Sequence, residues 1–578
     1  MEYGKLSGAL LAAHSDLERT GADSLVSYSA TLGMPEVMGT QKPPRAIVFI
    51  HCADNADLEG YKGELRARIN QKVGRIRTAL IPLDMLAELS EAKQIQRIHG
   101  SRKLRPRMKA AAKKVKIPRF RNETGLSGSN VIVGVIDTGI DPKHPAFKDR
   151  ILKIWDQTLD GPGVDEGGYG LELSGSIITA SRDDDGHGTH VAGIAAGASD
   201  DFTGVAPEAD LVIVKSSFQD AHVADGIRYI FRIAEDLGRP AVINLSLGGH
   251  YDAHDGTDSL SQIIDDEAGP GRIICVSAGN EGADRIHSRI ELGAPATRTA
   301  KFTVPAGQPE AMLNGWYPGT RKLEILIKSP EGRATRFQKV VSDGNFERRY
   351  NVGSARVIVQ TPGKDASNGD NSFYVVIRPK PGVSEVPTGT WELKVKNRSH
   401  VDGNLDVWTL DDQATPEVVF NRSSADDSCK IGSPACASRA ITVGAFVTLT
   451  SWKNIDGDEY EFDLEKNEMA VFSCQGPLRD DQEKPDVAAP GALIISCLSA
   501  DSAPDREYVI DRHHFAEMGT SMAAPFIAGL VALLLEREPD LTPEQVKEML
   551  KAASRIPGKP EGTFDETWGF GLPSAGRL

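Results

Sequence analysis

The pattern of apolar and polar positions divides the chain into regions with different periods. Between 43 and 100, short apolar runs alternate with two stretches of helical period, at 56–73 and after Pro82. The apolar runs lie at 46–50, 75–81 and 95–99. This order predicts a βαββαβ, ferredoxin-like α+β unit. Ahead of it, 1–42 is weakly patterned and predicts one helix and a loop.

A second pattern, typical of an α/β sheet, begins near residue 123 and returns near residue 413. Its apolar runs are continuous rather than alternating, as expected for parallel strands that are buried on both faces. They lie at 131–136, 211–215, 241–245, 272–276, 440–446 and 493–496. Helical stretches such as 224–237 separate them. We therefore predict a mostly parallel, three-layer sheet with helices on both sides.

The region between these two halves, from 300 to 412, has no helical period. It contains short alternating strands that are separated by Pro-Gly turns, which predicts an all-β sandwich inserted into the α/β domain. The strands lie at 322–328, 356–360, 372–378, 391–396 and 404–410. The predicted parts are an N-terminal extension (1–42), a ferredoxin-like domain (43–100), a linker (101–122), the α/β domain (123–299 and 413–578) and the inserted sandwich (300–412).

Charge separates the linker from the rest of the chain. The 578 residues carry a formal net charge of −15, which argues against a general nucleic-acid binder. The segment 101–121 nevertheless has ten Lys and Arg residues and no acidic residue. It is interpreted as a solvated linker, as a cleavable or docking tether to an acidic body, or as a nucleic-acid arm.

The cysteines and the N-terminus bear on the compartment. Six cysteines without a CxxC pair suit a reducing environment. Cys429 and Cys436 could form a local bridge or a metal pair, although free thiols are the favoured interpretation. The N-terminus lacks the features of a signal peptide, and we find no apolar run approaching the roughly 18 residues that span a membrane. The expectation is a cytoplasmic protein without membrane partners.

Three residues have settings suited to nucleophilic chemistry. Asp137 follows an apolar strand, His187 lies in a Gly-rich helix start, and Ser521 lies at the start of another helix. A serine nucleophile needs an imidazole to take its proton and an acid to orient that imidazole. Taken singly, the aspartate could be a helix cap and the serine could belong to a tightly packed helix start. Spacing along the chain does not show that the three residues meet.

The motifs around these residues, VIDTGI at 135–140, GHGTHVAG at 186–193 and GTSMAAP at 519–525, together resemble the subtilisin-like serine proteases (subtilases, peptidase S8 family). The resemblance covers about 123–295 and 413–578. It implies a serine endopeptidase in which Asp137 orients His187, His187 is the general base and acid, and Ser521 is the nucleophile.

The resemblance also extends to the substrate site. Asn280, in SAGNEG at 277–282, matches the oxyanion asparagine of the family. Ser246, Leu247, Gly248 and Gly249 match the segment whose backbone pairs with an extended peptide. Protein or peptide substrates are implied and no cofactor is needed. A structural calcium ion would be compatible with the family, but no clear loop motif supports one.

Two features depart from the minimal family pattern. The inserted sandwich resembles the jelly-roll-like insertions of some bacterial subtilases, on the basis of WYPG at 316–319 and the IKSPEG turn. The 43–100 region resembles the family's inhibitory propeptide. It is either removed by a cut in the basic linker or kept as a permanent part of an intracellular enzyme. A further hypothesis is that residues 44–100 hold the enzyme latent until a partner or a cut releases it. A pseudoprotease that uses its insertion for binding is the rival hypothesis, although an intact triad argues against it.

Other polar residues near the motifs have structural interpretations. His190 and Asn244 are expected to be structural hydrogen-bonding residues. The Asp183–Asp185 run is interpreted as a solvated acidic loop, with a cation site as the alternative. His513 and His514 are expected on a strand that enters the active-site region rather than in a metal site.

Overall fold

The structure of this chain is a computed structural model that describes residues 1–21, 25, 28, 32, 34, 44–63, 66–103, 105–106, 117–199, 201–339, 346–410 and 417–578. Its α-helices are Gly8–Thr20, Leu86–Glu91, Ile117–Thr124, His187–Ala196, Asp220–Asp236, Ser259–Glu267, Thr520–Arg537 and Pro543–Ala553. The last of them begins with a reciprocal capping box between the Thr542 side chain and Gln545.

The centre of the molecule is an eight-stranded sheet. Its spatial order is Val487–Ala492, Ile441–Val447, Arg272–Ser277, Ala241–Leu245, Ile132–Asp137, Asp210–Lys215, Ile151–Asp156 and Leu171–Ser174. Each neighbouring pair is parallel except the last, in which Leu171–Ser174 runs antiparallel. The predicted α/β fold class is confirmed, and five of the six continuous apolar runs are strands of this sheet with both faces buried. The sixth run, 493–496, corresponds to Ile494–Cys497, which pairs antiparallel with His514–Glu517 outside the central sheet.

The helix Thr520–Arg537, called the serine helix below, corrects one expectation. It is 18 residues long and apolar enough to meet the length and composition of a membrane span, and 89% of that window is buried inside the structure. It lies against strands Arg272–Ser277 and Val487–Ala492 of the central sheet. Burial on all sides accounts for its apolar composition.

The N-terminal unit contains a four-stranded antiparallel sheet. Its order is Arg68–Ile69, Ile76–Pro82, Arg45–Cys52 and Ile95–Gly100. The helix predicted at 56–73 is wrong for the residues described there, which form the 3-10 turn Glu59–Tyr61 and the strand Arg68–Ile69. Gly60 and Gly63 weaken a helix in this stretch. The helix Gly8–Thr20 covers the sheet face instead.

That N-terminal helix shares one core with the sheet. Leu10 and Leu11 are buried in the same cluster as Val48, Ile50 and Ile81. The stretch predicted as a separate extension therefore contributes to the packing of the N-terminal unit. The other face of the sheet, at Phe49, packs against the central domain.

The insertion is a sandwich of two antiparallel sheets. One sheet has the order His287–Leu292, Gly403–Leu410, Ala311–Tyr317, Asn371–Pro379, Ala355–Lys364 and Glu347–Val352; the other has Gln338–Lys339, Leu323–Lys328, Gly389–Asn397, Thr297–Val304 and Val419–Phe420. The sandwich strands therefore begin before residue 300 and continue beyond 412.

Short paired strands complete the fold. They are Arg105–Pro106 with Leu247–Gly248, Ser451–Lys453 with Glu459–Glu461, Ser554–Arg555 with Leu572–Pro573, and the three-stranded group Ile494–Cys497, His514–Glu517 and Val509–Asp511. The six cysteines are all buried free thiols, which agrees with the favoured interpretation.

Candidate active site

An aspartate and a histidine from two distant motifs meet at the end of the central sheet. Asp137 is the last residue of Ile132–Asp137, and His187 is the first residue of His187–Ala196, called the histidine helix below. His187 Nδ1 lies 2.7 Å from Asp137 Oδ1, and neither side chain is exposed. The turn into the helix needs glycine, because Gly186 has a φ of 97°.

The pair has the electrostatics of an orienting acid and a base. Burial opposes the charged form of His187, but the Asp137 carboxylate outweighs burial and raises the pKa of His187. Since Nδ1 faces the carboxylate, Nε2 is the nitrogen available for proton exchange with another group. This is the arrangement that a serine nucleophile requires.

Asp183 supports this pair and was misjudged from the sequence. It is fully buried rather than solvated. Its carboxylate accepts hydrogen bonds from Thr138 Oγ1 at 2.8 Å, from Gly186 N at 2.9 Å and from Thr189 N at 2.8 Å. It therefore joins the turn after Asp137 to the start of the histidine helix.

Ser521 lies in the first turn of the serine helix, behind Gly519. Its side chain is buried, and its Oγ is 3.3 Å from the carbonyl oxygen of Ser246. The Ser246 hydroxyl in turn donates to the Ser521 carbonyl at 2.7 Å. The serine helix and the histidine helix pack against each other. The segments around Ser246 and Ser521, which are 275 residues apart, are held together at the N-terminus of the serine helix.

Asn280 lies beside the same turn. Its Oδ1 accepts hydrogen bonds from Thr520 N and from Thr520 Oγ1, both at 2.9 Å. Because its oxygen is engaged in this way, its amide nitrogen is the atom left to donate. An amide donor next to a serine at a helix N-terminus can stabilise an oxyanion together with the backbone N–H groups.

The predicted substrate-binding segment is paired with another part of the same chain. Leu247 lies opposite Pro106, and Gly248 lies opposite Arg105, in antiparallel register. The next residue, Gly249, donates its N–H to the Ser433 carbonyl at 2.9 Å. The basic linker thus occupies the strand position that the resemblance assigns to a peptide.

The linker is anchored just ahead of this pairing. Asp220, at the start of helix Asp220–Asp236, accepts hydrogen bonds from Ser101 Oγ at 2.6 Å and from Arg102 N at 2.8 Å. One turn further along that helix, Asp225 accepts from Thr78 Oγ1 at 2.7 Å. The N-terminal unit therefore docks on this helix by donating to buried carboxylates.

The other histidines and the asparagine that were singled out in the sequence have structural contacts. Asn244 Nδ2 donates to Ser246 Oγ at 2.9 Å. His190 Nε2 is 3.2 Å from the Ile494 carbonyl oxygen. His514 lies on the predicted strand, whereas His513 lies in the turn before it. Within the described residues, no group of three or more His, Cys, Asp or Glu side chains has the arrangement of a metal site.

Two acidic residues near the site were missed from the sequence. Glu517 is buried four residues before Ser521, and its Oε2 is 3.5 Å from His190 Nδ1. Glu281 Oε2 accepts the backbone N–H of Asn280 at 2.9 Å. An acid in the apolar run just before the serine motif was the available signal for Glu517.

Comparison with known proteins agrees with this geometry. The model of the subtilase family (peptidase S8) matches residues 128–325 and 392–571. The serine protease AprX of Bacillus subtilis (strain 168) is 25% identical over 512 residues, which cover 85% of this chain and 76% of AprX. The major intracellular serine protease of the same organism is 35% identical over 210 residues, or 35% of this chain and 59% of that protein.

Among solved structures, the CspB protease of Clostridium perfringens has a similar fold. It superposes with a TM-score of 0.67 at 24% sequence identity, and the match covers 81% of this chain and 96% of that one. Because the family model spans more than half of the chain, the family and its activity on peptide or protein substrates follow. The chain belongs to the subtilase family and is a subtilisin-like serine endopeptidase.

Proposed function

We propose that Asp137, His187 and Ser521 are the catalytic triad of this endopeptidase. The observation that carries the proposal is the buried 2.7 Å contact between His187 Nδ1 and Asp137 Oδ1, on a helix that packs against the serine helix. The pairing of Asn280 Oδ1 with Thr520 supports a role for the Asn280 amide in the oxyanion hole.

The proposed reaction uses two acyl transfers. Ser521 Oγ attacks the peptide carbonyl carbon while His187 Nε2 takes the hydroxyl proton. The oxyanion accepts hydrogen bonds from the Asn280 amide and from the Ser521 backbone N–H. His187 returns the proton to the leaving amine, so the C–N bond breaks and an acyl-enzyme remains. A water molecule that His187 deprotonates then hydrolyses the ester and regenerates Ser521.

Labelling with a fluorophosphonate tests the nucleophile. We expect the wild-type protein to be labelled at Ser521 and to hydrolyse peptides, and Ser521→Ala to lose labelling and about 10⁶-fold in kcat. Circular dichroism checks that the variant is folded. Peptidase activity that survives in a folded Ser521→Ala protein would contradict the assignment.

The N-terminal unit is proposed to hold the enzyme latent until the basic linker is cut. Support comes from the pairing of Arg105–Pro106 with Leu247–Gly248, because a peptide substrate would need the same strand edge. The anchoring of Ser101 and Arg102 on Asp220 also holds the linker near the cleft. The proposed cut lies after Pro106, within the basic segment.

Mass spectrometry and kinetics test this latency. The purified wild-type protein is expected to yield a new N-terminus beyond residue 106, and Ser521→Ala is expected to stay intact. Peptidase rates are then compared before and after cleavage of the linker. Equal rates for the two forms would remove the latency proposal and leave the triad assignment in place.

A further inference from the structure

The inserted sandwich touches the loop that follows the substrate-binding segment. Asn314, on sandwich strand Ala311–Tyr317, donates its amide to the carbonyl oxygens of His250 at 3.2 Å and Asp252 at 2.9 Å. Its own Oδ1 accepts the Trp316 indole N–H at 2.8 Å, which fixes the orientation of the amide. The loop after Gly249 therefore obtains two of its hydrogen bonds from the insertion.

A tryptophan of the sandwich makes a second contact with this loop. Trp408, on strand Gly403–Leu410, is fully buried and stacks on the His254 ring at a centroid distance of 3.9 Å and an angle of 5°. On the same loop, His254 Nε2 is 2.9 Å from His250 Nδ1. His254 and His250 thus connect the Trp408 indole of the sandwich to the loop of the catalytic domain.

The chain of contacts ends on residues 279–282, called the oxyanion loop here. His250 Nε2 lies 3.3 Å from Glu281 Oε2. The same Glu281 oxygen accepts the backbone N–H of Asn280 at 2.9 Å. One continuous path therefore runs from Trp408 through His254 and His250 to the backbone of Asn280.

The donor and acceptor atoms of the two imidazoles follow from their partners. His254 Nδ1 is 3.2 Å from the Asp252 carbonyl oxygen, which can only accept, so this nitrogen carries the hydrogen. Burial, together with the neighbouring His250, lowers the pKa of His254 well below its usual value and keeps it neutral. His254 Nε2 is then an acceptor, and His250 Nδ1 donates to it.

A second path from the same tryptophan reaches the other end of the oxyanion loop. The Trp408 indole N–H donates to the Cys429 carbonyl at 2.9 Å. The next residue, Lys430, is fully buried, and its Nζ donates to the Gly282 carbonyl at 2.8 Å. The oxyanion loop is thus held at both ends by groups that rest on the sandwich.

We propose that the inserted sandwich contributes to peptidase activity, and that His250 is a positioning residue that couples the sandwich to the oxyanion loop. This inference rests on the proposed oxyanion role of Asn280. The sandwich would hold the Asn280 amide where the negative charge develops in the transition state. Loss of the coupling should lower kcat with little effect on KM, because ground-state binding of the peptide does not use this donor.

Matched variants of two buried asparagines test the coupling. Asn314→Ala removes the two bonds to the 250–252 loop. Asn397→Ala is the control, because Asn397 is equally buried and its amide bonds three carbonyls that all lie within the sandwich, those of Leu292, Gly293 and Val401. Linker-cleaved enzymes are compared, with kcat expressed per folded molecule. We expect Asn314→Ala to lose about 10-fold in kcat and Asn397→Ala to keep it.

His250→Phe and His250→Gln test the positioning residue itself. Phe keeps the ring but removes both polar contacts, and we expect a fall of about 10-fold in kcat with KM within about twofold. Gln retains an N–H donor and should recover part of the loss. If His250→Phe does not fold, Asn314→Ala remains as the test. Unchanged kcat in Asn314→Ala, or equal losses in Asn314→Ala and Asn397→Ala, would overturn the proposal.

Hydrogen exchange separates this inference from the proposed function. The backbone amides of residues 279–282 should exchange faster in Asn314→Ala and His250→Phe than in the wild type or Asn397→Ala, whether or not the protein is active. Equal peptidase rates in the wild type and Ser521→Ala would refute the triad alone. Unchanged exchange of the oxyanion loop in both coupling variants would refute the coupling.

Discussion

The histidine helix carries two imidazoles one turn apart, and each faces a different buried carboxyl group. His187 Nδ1 lies 2.7 Å from Asp137, whereas His190 Nδ1 lies 3.5 Å from Glu517. Asp137 Oδ1 also accepts the Thr138 N–H at 2.7 Å. Neither carboxyl oxygen of Glu517 has a hydrogen-bond partner among the residues that the structure describes. Among the described residues, Asp137 Oδ2 also lacks a hydrogen-bond partner, so Asp137 has one bonded oxygen and Glu517 has none. The two pairs therefore join the same kinds of group, a carboxyl and an imidazole, but differ in the hydrogen bonds that the carboxyl group accepts.

The pKa values of the two histidines shift in opposite directions. The Asp137 carboxylate overcomes burial and raises the pKa of His187. For the second pair, burial and then the neighbouring His187 lower the pKa of His190 to about 3, and burial raises the pKa of Glu517 to about 7. One pair is built to exchange protons, and the other stays neutral over much of the acidic range.

The largest expected difference between the two pairs is the loss of kcat when each imidazole is removed. His187→Ala should lower kcat about 10⁶-fold, because Ser521 loses its base. His190→Gln should change kcat of the folded enzyme by less than about 10-fold, since it touches no reacting group in the proposed mechanism. Steady-state kinetics with a peptide substrate measures both. Comparable losses in the two variants would assign His190 to the chemistry.

The carboxyl groups offer an isosteric version of the same test. Asp137→Asn should lower kcat about 10⁴-fold, because an amide favours the wrong tautomer of His187. Glu517→Gln should retain kcat within about 10-fold, since Glu517 touches no reacting group in the proposed mechanism. Single-turnover acylation rates of the two variants, with Ser521→Ala as the blank, check this. A Glu517→Gln enzyme as slow as Asp137→Asn would end the distinction between the pairs.

Glu517 should also affect the stability of the fold. Its pKa is raised from 4.5 to about 7, so the native state holds this proton more tightly than the unfolded chain does. Glu517 therefore contributes up to about 3 kcal/mol to the free energy of unfolding. This contribution is fully present below about pH 4.5 and is lost as the pH rises through 7.

Glu517→Gln removes this dependence. Denaturant unfolding of Ser521→Ala and of the Ser521→Ala, Glu517→Gln double variant should show that the double variant gains relative stability between pH 5 and 8. The inactive background prevents self-digestion from affecting the measurement. A constant difference between the two proteins across this range would contradict a buried, protonated Glu517.

The smallest expected effect is on the pH profile. The ionised form of Glu517 favours the charged form of His187. In Glu517→Gln the imidazolium loses this support, so the acidic limb of the kcat/KM profile should move to lower pH by about half a unit. Profiles of the two enzymes on one peptide measure the shift. A shift to higher pH would show that Glu517 acts on His187 by another route.

Much of the fold was predictable because the relevant signals are local. Five of the continuous apolar runs are strands of the central sheet, and the five alternating runs are strands of the sandwich. The helix predicted at 56–73 failed for a local reason, since Gly60 and Gly63 weaken a helix there, and for a non-local one, because the helix Gly8–Thr20 covers that face of the sheet. Local periodicity does not reveal which of two segments covers a given surface.

The acidic residues near the site show the same limit. Asp183 was predicted to be a solvated loop residue. Four hydrogen bonds from the turn and the histidine helix offset the cost of burying its carboxylate. Glu517 and Glu281 attracted no prediction, since their partners His190 and His250 are distant in sequence. Burial and partners decide what a carboxyl group does, and both are tertiary properties.

The sequence by itself determined the family, the order of the three motifs and the candidates Asp137, His187, Ser521 and Asn280, because these rest on residue identity within short segments. Only the tertiary structure decided which carboxyl group each histidine of the motif faces. It also decided that the basic linker lies on the predicted substrate-binding segment and that the sandwich reaches the 279–282 loop. Those outcomes depend on distances between residues far apart in the chain, and such distances are fixed only when the sheets and helices pack.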